Sequence, residues 1–336
     1  MNIRKDIKLS NYTTLKIGGV ARYFVEIGTR QDLREAVSFA KSKKLSIFVI
    51  GEGSDILISD KKFNVLVIKL TNKDMHFKGG HVVSSAGIKW DRLVQTCVDK
   101  SLQGIECLSG IPGTVGAAPV QNVGAYGQEL KDTLVKVEVY DVKTDEFKSL
   151  NNKDCTFSYR ESIFKNPNYK NRYIIFEVTL KLKEKGTPNV SYESLKKYLS
   201  DNKIKTINLI EVRDAILVIR HQKLDDPMEI PNAGSFFKNP IIEVREFENI
   251  QKKFPDIPNF TNGKQIKLFA GWLIEKCEWK GKKIREVGVS KRNALVLINY
   301  GKGTAEDMEK LARKVTENVY QKFGIMLESE VQYVNF

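Results

Sequence analysis

The chain has 336 residues, more than one hydrophobic core usually organises, so we expect two or three domains. Hydrophobic residues make up 41% and charged residues 29%, a composition typical of globular proteins and not of disordered ones. No run approaches the ~18 apolar residues of a membrane span, and the first segment, MNIRKDIKLS, lacks the apolar region of a signal peptide, which predicts a cytoplasmic protein with no membrane association.

The formal net charge of +14, from 55 Lys and Arg against 41 Asp and Glu, raises the question of nucleic-acid binding. The basic residues are dispersed in short pieces such as KSKK, KNPNYKNR and KGKK, so we expect a solvated, lysine-rich surface and no nucleic-acid partner. No metal site is expected. The cysteines form no CxxC pair and are predicted to be buried free thiols: Cys97, Cys107, Cys155 and Cys277.

Helix and strand patterns alternate through the first two thirds of the chain. Residues 31–44 place Leu33, Val37 and Ala40 at helical spacing and precede LSIFVIG, which predicts a helix followed by a strand. Residues 87–102 repeat the helical spacing through a second apolar stripe: Trp90, Leu93, Val94, Cys97 and Val98. The segments VKVEVYD and RYIIFEVTLKL alternate as strands.

The last third begins with a helical pattern in NLIEVRDAILVIR and a strand in ALVLIN. Residues 304–324 predict a long helix, with Thr304 as its N-cap and Gly324 just beyond its C-terminus. Its apolar stripe is Met308, Leu311, Val315 and Val319. MLESEVQYV, at 326–334, alternates like a closing strand.

The segment VIGEGSDILISD contains a first glycine-rich loop, at residues 51–54. The loop leads into another β-like stretch, whereas a dinucleotide fingerprint or a P-loop must open a helix. Its backbone could form a nest of N–H groups for an anion. A plain tight turn between strands is the alternative interpretation.

A second glycine-rich loop, SGIPGTVGAAPVQNVGAYG, covers residues 109–127. So few large side chains cannot make a core helix or strand of normal packing. The segment suits a backbone that wraps around an extended ligand, although an ordered loop without a ligand is the alternative.

The segment PNAGSFFKNP, at residues 231–240, places Ser235 between a glycine and two phenylalanines. A hydrolytic serine needs a nearby base, usually histidine, and the chain has His76, His81 and His221 outside any triad signature. No G-x-S-x-G elbow occurs, so the serine has either another task or only the polarity of a loop.

These loops, together with NYTTLKIGGVARYF, SYRESIFK, AGWLIEKC and LESEV, resemble the UDP-N-acetylenolpyruvoylglucosamine reductase family, in the family's order and over nearly the whole chain. The resemblance implies an α+β fold: a vanillyl-alcohol-oxidase-type FAD-binding fold of two α/β subdomains plus a smaller α/β substrate-binding domain. We therefore expect FAD-binding subdomains at 1–70 and 71–212, a substrate-binding domain at 213–325, and a C-terminal strand at 326–336 that returns to the active site.

The resemblance implies a non-covalently bound FAD, NADPH as reductant, and UDP-N-acetylglucosamine enolpyruvate as substrate for peptidoglycan precursor synthesis; we expect a monomer. Asp55 departs from the family's usual Asn, and a carboxylate beside a diphosphate is unfavourable unless it points away or accepts hydrogen bonds. The implied cofactor-binding residues are Gly51, Glu52, Gly53, Ser54, Asp55, Ile111, Pro112, Gly113, Gly116, Ala117, Ala118, Asn122, Gly124, Ala125 and Tyr126.

The implied catalytic residues are Arg160, Ser235 and Glu330. Arg160 offers a planar fork for a carboxylate, and Ser235 would protonate the enolate that hydride addition leaves, with Phe236 and Phe237 keeping water out. Only the resemblance selects Glu330, because in LESEVQYV it shares a strand face with Glu328 and Gln332 that is expected to be exposed.

The implied substrate-binding residues are Tyr159, Tyr192, Lys223, Asn239 and Asn293, with Tyr192 on the substrate-capping loop VSYESL. Two other hypotheses remain. A flavin oxidase of the same fold would usually need a histidine or cysteine for covalent attachment, and no histidine lies in a matching loop. A basic nucleic-acid-binding protein would be colourless and strongly salt-dependent in its affinity.

Overall fold

The structure, a computed structural model, describes residues 1–169, 171–263 and 265–336. The helices are α1 Arg30–Ser42, α2 Trp90–Asp99, α3 Glu193–Asp201, α4 Leu209–Lys223, α5 Val244–Lys253, α6 Ala270–Lys276 and α7 Ala305–Phe323. The strands are β1 Ile3–Lys8, β2 Val20–Ile27, β3 Ser46–Ile50, β4 Ile56–Ile58, β5 Phe63–Leu70, β6 Met75–Lys78, β7 His81–Ser85, β8 Leu102–Gln103, β9 Gly124–Ala125, β10 Gln128–Glu129, β11 Leu134–Asp141, β12 Glu146–Asn151, β13 Tyr173–Lys181, β14 Lys183–Glu184, β15 Asn232–Ser235, β16 Ile241–Glu243, β17 Asn259–Asn262, β18 Gln265–Leu268, β19 Lys283–Ile284, β20 Val287–Val289, β21 Val296–Asn299 and β22 Gln332–Val334.

The first of two compact units comprises residues 1–7, 21–52 and 62–222. Its first sheet has the strand order β1-β2-β5-β3, and both β2 and β3 run parallel to β5. Helix α1 connects β2 to β3, as a parallel crossover requires. The predicted stripe Leu33, Val37 and Ala40 is buried in the core beside this sheet, which confirms the helix and the strand that follows it.

A second sheet in this unit is antiparallel, with the order β12-β11-β13-β7-β6. The predicted strands VKVEVYD and RYIIFEVTLKL are its neighbours β11 and β13. All five stripe residues of α2 are buried in a core beside this sheet, as their spacing predicted. The unit contains several hydrophobic cores, and the predicted boundaries near 70 and 212 stay a prediction.

The second unit comprises residues 8–20, 53–61 and 223–336. It contains the antiparallel sheets β15-β21-β20-β19 and β16-β18-β17, and a parallel pair of β4 with β22. Helix α7 packs its predicted stripe into the core of this unit. The hydroxyl of Thr304 accepts from the Asp307 amide, and Gly324 ends the helix at φ +76°, so both predicted caps are confirmed.

Two expectations need correction. MLESEVQYV forms a strand only over Gln332–Val334. The residues before it pair elsewhere, because Ser329 makes an isolated antiparallel bridge with Phe237 of the serine segment. Cys277 is half-buried and not fully enclosed, while the other three thiols are buried and all four are free. Among the described residues, no helix is long and apolar enough to span a membrane.

Candidate active site

The two glycine-rich loops, predicted separately, meet within the first unit. Gly51 ends β3 so close to the second loop that an added Cβ would lie 2.8 Å from Thr114 Oγ1 and 3.6 Å from Ala117 Cβ. A side chain at position 51 would therefore separate the loops. The loop between β3 and β4 leads from one strand into another, as expected.

Glu52 fixes the second loop in place. Its Oε2 accepts a hydrogen bond of 2.9 Å from the Gly113 amide, and its Oε1 lies 3.1 Å from Lys89 Nζ. With these two partners the carboxylate positions Gly113. Direct contact of Glu52 with a cofactor stays a prediction.

The backbone of residues 109–127 turns repeatedly through left-handed conformations, at Gly110, Gly113, Asn122, Tyr126 and Gly127. Asn122 is fully buried, and both ends of its amide are used by the protein. Its Nδ2 donates to Glu129 Oε2 at 2.9 Å and to the Ser158 carbonyl at 3.1 Å, while its Oδ1 accepts from the Lys131 amide at 3.0 Å. Asn122 therefore holds the shape of the loop.

Gly116 is required by packing inside the protein. An added Cβ would lie 2.6 Å from Ala86 Cβ, and the Gly116 amide donates to the Ala86 carbonyl at 2.9 Å. A side chain at position 116 would therefore overlap Ala86, while contact of Gly116 with a cofactor stays a prediction. Of the other predicted loop residues, Ala118 is buried, Ile111 and Ala117 are half-buried, Pro112 is exposed, and Gly124 and Ala125 form β9.

One polar atom of the second loop has no partner. Gln121 Oε1 is buried and accepts no hydrogen bond from the described residues. A buried oxygen without a donor costs free energy unless a ligand or water supplies one. Gln121 is therefore a candidate ligand contact that the sequence analysis missed, since composition alone does not show which polar side chain of a loop is enclosed.

Arg160 lies against the second loop. Its Nη2 donates to the Gly124 carbonyl at 2.9 Å, and its guanidinium carbon is 5.3 Å from the centre of the Tyr159 ring. Its backbone is left-handed, at φ +58°, and its carbonyl accepts from Lys165 Nζ at 3.0 Å. The structure thus brings Tyr159 and Arg160 to β9.

Tyr192, at the start of α3, contacts the second loop through Tyr126. The two rings meet edge to face with their centroids 5.4 Å apart, while Tyr192 remains 42% exposed. Burial raises the pKa of the Tyr126 hydroxyl. A ring that is half exposed and held by one aromatic neighbour is free to contact a ligand on its open face.

Arg220, on α4, is a second residue that the sequence analysis missed. Burial lowers the pKa of its guanidinium, against the opposing effects of nearby Tyr126 and Asp91. Arg213, seven residues earlier on the same helix, makes a bidentate pair with Asp91 at 2.6 and 2.8 Å. The available signal was the spacing of Arg213 and Arg220, two turns apart on the buried face of one helix.

The remainder of the first glycine-rich loop belongs to the second unit. Gly53 is left-handed at φ +65°, and an added Cβ would lie 2.2 Å from the Tyr12 carbonyl. The Gly53 carbonyl accepts from the Thr14 amide at 3.1 Å, and the Asp55 carbonyl accepts from the Gln332 amide at 3.1 Å. These bonds fix the backbone around half-buried Ser54. Contact of the Asp55 side chain with a cofactor stays a prediction.

Ser235 and Glu330 lie close together in the second unit. Ser235 pairs with Val296 of β21, and the next residue, Phe236, accepts a backbone hydrogen bond of 2.9 Å from Glu330. The serine segment is therefore held between β21 and the chain before β22. Phe236 and Phe237 are buried in the core of this unit, where they anchor the segment.

The structure separates Glu330 from Glu328, which the sequence pattern alone did not. Glu330 is buried, with 8% of its surface exposed, whereas the Glu328 side chain is 75% exposed and pairs with Lys238 at 3.4 Å. The expectation of a shared solvent-exposed face is wrong, because pairing with Phe236 interrupts the regular alternation. A buried carboxylate beside a serine segment is typical of a functional site.

The three remaining predicted residues also lie in the second unit. Lys223 is exposed at the end of α4. Asn239 Oδ1 accepts from the Ala270 amide at 3.0 Å and so caps the first turn of α6. Asn293 Oδ1 accepts from the Leu295 amide at 3.0 Å, in the turn that leads into β21. Their contacts with a substrate stay predictions.

Two family models match the chain. One, described as an FAD binding domain, matches residues 21–149, and the other, the C-terminal domain of UDP-N-acetylenolpyruvoylglucosamine reductase, matches residues 226–334. A UDP-N-acetylenolpyruvoylglucosamine reductase of Flavobacterium johnsoniae is 39% identical over 99% of this chain and 100% of its own length. One of Bdellovibrio bacteriovorus is 40% identical over 98% of this chain and 99% of its own length.

Solved structures give the same result for the fold. A UDP-N-acetylenolpyruvylglucosamine reductase from Thermus caldophilus is similar over 99% of both chains, with a TM-score of 0.72 and 26% identity. The 6-hydroxy-D-nicotine oxidase from Arthrobacter nicotinovorans, at 12% identity, covers 97% of this chain and 86% of its own, with a TM-score of 0.53. The predicted α+β fold of the vanillyl-alcohol-oxidase type is confirmed.

Proposed function

Because the chain belongs to the UDP-N-acetylenolpyruvoylglucosamine reductase family, we propose that it reduces UDP-N-acetylglucosamine enolpyruvate to UDP-N-acetylmuramate, with FAD as cofactor and NADPH as reductant. The observation that supports this chemistry most strongly is the placement of Ser235 beside the buried Glu330. A hydroxyl and a buried carboxylate suit the protonation of an enolate, and no hydrolytic triad is needed.

The residues of the first unit fit a flavin. Gly51 and residues 113–118 meet with mostly small side chains, a composition that suits a backbone bound along an extended ligand. The buried, unpartnered Gln121 Oε1 offers an acceptor among the described residues. When bound, FAD supplies the hydride chemistry, because it exchanges two electrons with a nicotinamide and with the enolpyruvyl double bond.

Ser235 is proposed to complete the reduction. Hydride addition at the methylene carbon leaves negative charge on the neighbouring carbon and its carboxylate. Ser235 Oγ then gives its proton to that carbon and regains one from solvent, which yields the lactyl ether. The half-buried position of the serine, backed by Phe236 and Phe237, limits the access of water to this step.

Arg160 and Glu330 are proposed to act on the carboxylate side of the enolate. The Arg160 guanidinium can pair with a carboxylate in a planar, charge-assisted geometry, and its bond to the Gly124 carbonyl sets its direction. Glu330, held by its backbone to Phe236, would orient and polarise the same end of the substrate.

The nucleotide part of the substrate is proposed to contact Tyr159, Tyr192, Lys223, Asn239 and Asn293. Lys223 is exposed and carries the charge that a diphosphate requires. Tyr192 is proposed to contact the substrate with the face of its ring that Tyr126 leaves open. We also propose a monomer that works in the cytoplasm, where NADPH and nucleotide-sugars occur.

The test is a two-step anaerobic experiment on the purified protein. The protein should be yellow with a flavin spectrum, NADPH should bleach it, and UDP-N-acetylglucosamine enolpyruvate should restore the oxidised spectrum with one lactyl ether formed per flavin. A colourless protein, or a reduced flavin that this substrate does not reoxidise, would overturn the proposal. If the reduced flavin does not respond to this substrate and a separate aerobic mixture reoxidises it rapidly, a flavin oxidase is indicated instead.

A further inference from the structure

A buried polar cluster in the second unit lies outside the residues discussed so far. At its centre is Asp225, whose side chain is 6% exposed. Its Oδ2 accepts from the Ser290 hydroxyl, and its Oδ1 lies 3.5 Å from Arg292 Nε. Arg292 also donates from Nη1 to the Leu224 carbonyl at 3.3 Å. This cluster joins the chain just after α4 to the turn before β21.

These contacts connect the backbones next to two proposed substrate residues. Lys223 directly precedes Leu224, whose carbonyl Arg292 holds. On the other side, Ser290 Oγ accepts from the amides of Arg292 at 3.0 Å and Asn293 at 3.3 Å. The Ser290 hydroxyl therefore donates a hydrogen bond to Asp225 and accepts hydrogen bonds from the turn that contains Asn293.

The cluster also reaches the serine segment through Asn232, which is buried. Asn232 Nδ2 donates to the carbonyls of Asp225 at 3.1 Å and Ile230 at 2.8 Å. Asn232 Oδ1 accepts from the Gly234 amide at 2.9 Å. Gly234 is left-handed, at φ +71°, and the next residue is Ser235. Asn232 thus fixes the turn that presents the serine.

We propose that Asp225, Ser290 and Asn232 are positioning residues that hold the proton donor and the diphosphate-binding residues in one rigid frame. This inference rests on the proposed function and adds to it the means by which Ser235, Lys223 and Asn293 keep a fixed spacing.

The physical reason is the cost of leaving buried polar groups without partners. The Asp225 carboxylate and the Ser290 hydroxyl join the segment after α4 to the turn before β21, and Asn232 joins the Gly234 turn to the Asp225 carbonyl, so removing one of these side chains leaves donors or acceptors unpaired. The segments would then shift relative to one another. A displacement of about 1 Å can reduce a reaction rate by roughly a hundredfold.

Substitutions at the two ends of the cluster should have different effects, one on the reoxidation rate and the other on substrate affinity. Asn232→Ala frees the Gly234 turn, so photochemically reduced flavin should be reoxidised by saturating substrate roughly tenfold more slowly, within the range that misplacement produces. Asp225→Ala and Ser290→Ala loosen the Asn293 turn, so the Kd of the oxidised protein for the enolpyruvyl nucleotide-sugar should rise roughly tenfold, the equivalent of losing about one charged hydrogen bond. Asp225→Asn keeps an acceptor for Ser290 and should recover part of the affinity.

Two control variants separate positioning from a general loss of stability. Asn299 is also buried and also holds a glycine turn, through the amides of Gly301 at 2.9 Å and Gly303 at 2.8 Å, so Asn299→Ala should lower Tm like Asn232→Ala. It should not slow flavin reoxidation. Asp226→Asn removes a charge from the exposed neighbour of Asp225 and keeps the acceptor for the Met228 amide. The affinity of this variant for the substrate should therefore equal that of the wild type.

The inference is overturned if Asn232→Ala reoxidises at the wild-type rate and Asp225→Ala binds the substrate as tightly as wild type. It is also overturned if Asn299→Ala slows reoxidation as much as Asn232→Ala does, because the effect would then be one of stability. Failure of the proposed function is distinguishable, since in that case the wild-type flavin itself would not be reoxidised by the substrate.

Discussion

The second glycine-rich loop, residues 109–127, and the serine segment, residues 231–240, both depend on glycine, but for different physical reasons. At Gly116 the backbone angle is ordinary and there is no room for a Cβ, since Ala86 Cβ would lie 2.6 Å away. At Gly234 a Cβ would meet nothing within 4 Å, but φ is +71°. The first glycine preserves packing and the second preserves a turn, so substitutions at the two positions should fail in different ways.

Among substitutions that test the comparison of the two segments, the largest effect is expected from Gly116→Ala. The overlap with Ala86 should destabilise the first unit by about 3 kcal/mol, near the upper end of the usual cost of overpacking. The protein should be purified with little flavin and a lower Tm. Visible absorbance per mole of protein and a thermal melt measure both.

Gly28→Ala is the matched control, because its Cβ would lie 3.8 Å from Thr71 Oγ1, an ordinary contact in the same unit. It should keep the full flavin content. A Gly116→Ala protein with wild-type Tm and flavin content would show that the packing explanation is wrong.

The second-largest effect is expected from Lys223→Ala, which tests one of the proposed substrate-binding residues of the second unit. Removal of a charged hydrogen bond to the diphosphate should raise the Kd for the nucleotide-sugar roughly 10- to 100-fold. Flavin content should not change. Titration of the flavin spectrum with substrate gives the Kd, and Lys314→Ala, on the exposed face of α7, should bind as wild type does. Equal affinities in the two variants would remove Lys223 from the site.

The smallest effect is expected from Gly234→Ala. A left-handed alanine costs about 1–2 kcal/mol, so the turn should relax and move Ser235 while the fold survives. Turnover should fall roughly tenfold, as for a shift of well under 1 Å.

Gly324→Ala supplies the control for that variant, because Gly324 has φ +76° and also has no atom within 4 Å of a built Cβ. Both variants should lose similar stability, and only Gly234→Ala should lose turnover. If turnover falls equally in both, the serine turn has no special role.

The sequence predicted those parts of the fold in which burial repeats with a local period. The stripes of α1, α2 and α7 and the alternation of β11 and β13 are examples, because each residue's environment follows from its neighbours in the chain. Thr304 and Gly324 were predictable for the same reason, since helix caps are local.

Other parts of the site depend on segments far apart in sequence. Glu330 is buried because its backbone pairs with Phe236, and no pattern within LESEVQYV shows that contact. Likewise, Gln121 and Arg220 gain their significance from tertiary burial. Periodicity indicated that Glu330 is exposed, and the structure buries it; the catalytic role that the resemblance implies for Glu330 stays a prediction.

The most direct test of the central claim is the oxidative half-reaction of Ser235→Ala, followed by stopped-flow absorbance of the flavin. The variant should bind FAD and be reduced by NADPH at the wild-type rate. Its reduced flavin should then be reoxidised by the enolpyruvyl substrate about 10² to 10⁴-fold more slowly, the usual contribution of a positioned general acid. Ser235→Cys should recover part of the rate, because a thiol can also donate a proton. Reoxidation of the alanine variant at the wild-type rate would contradict the assignment of Ser235 as the proton donor.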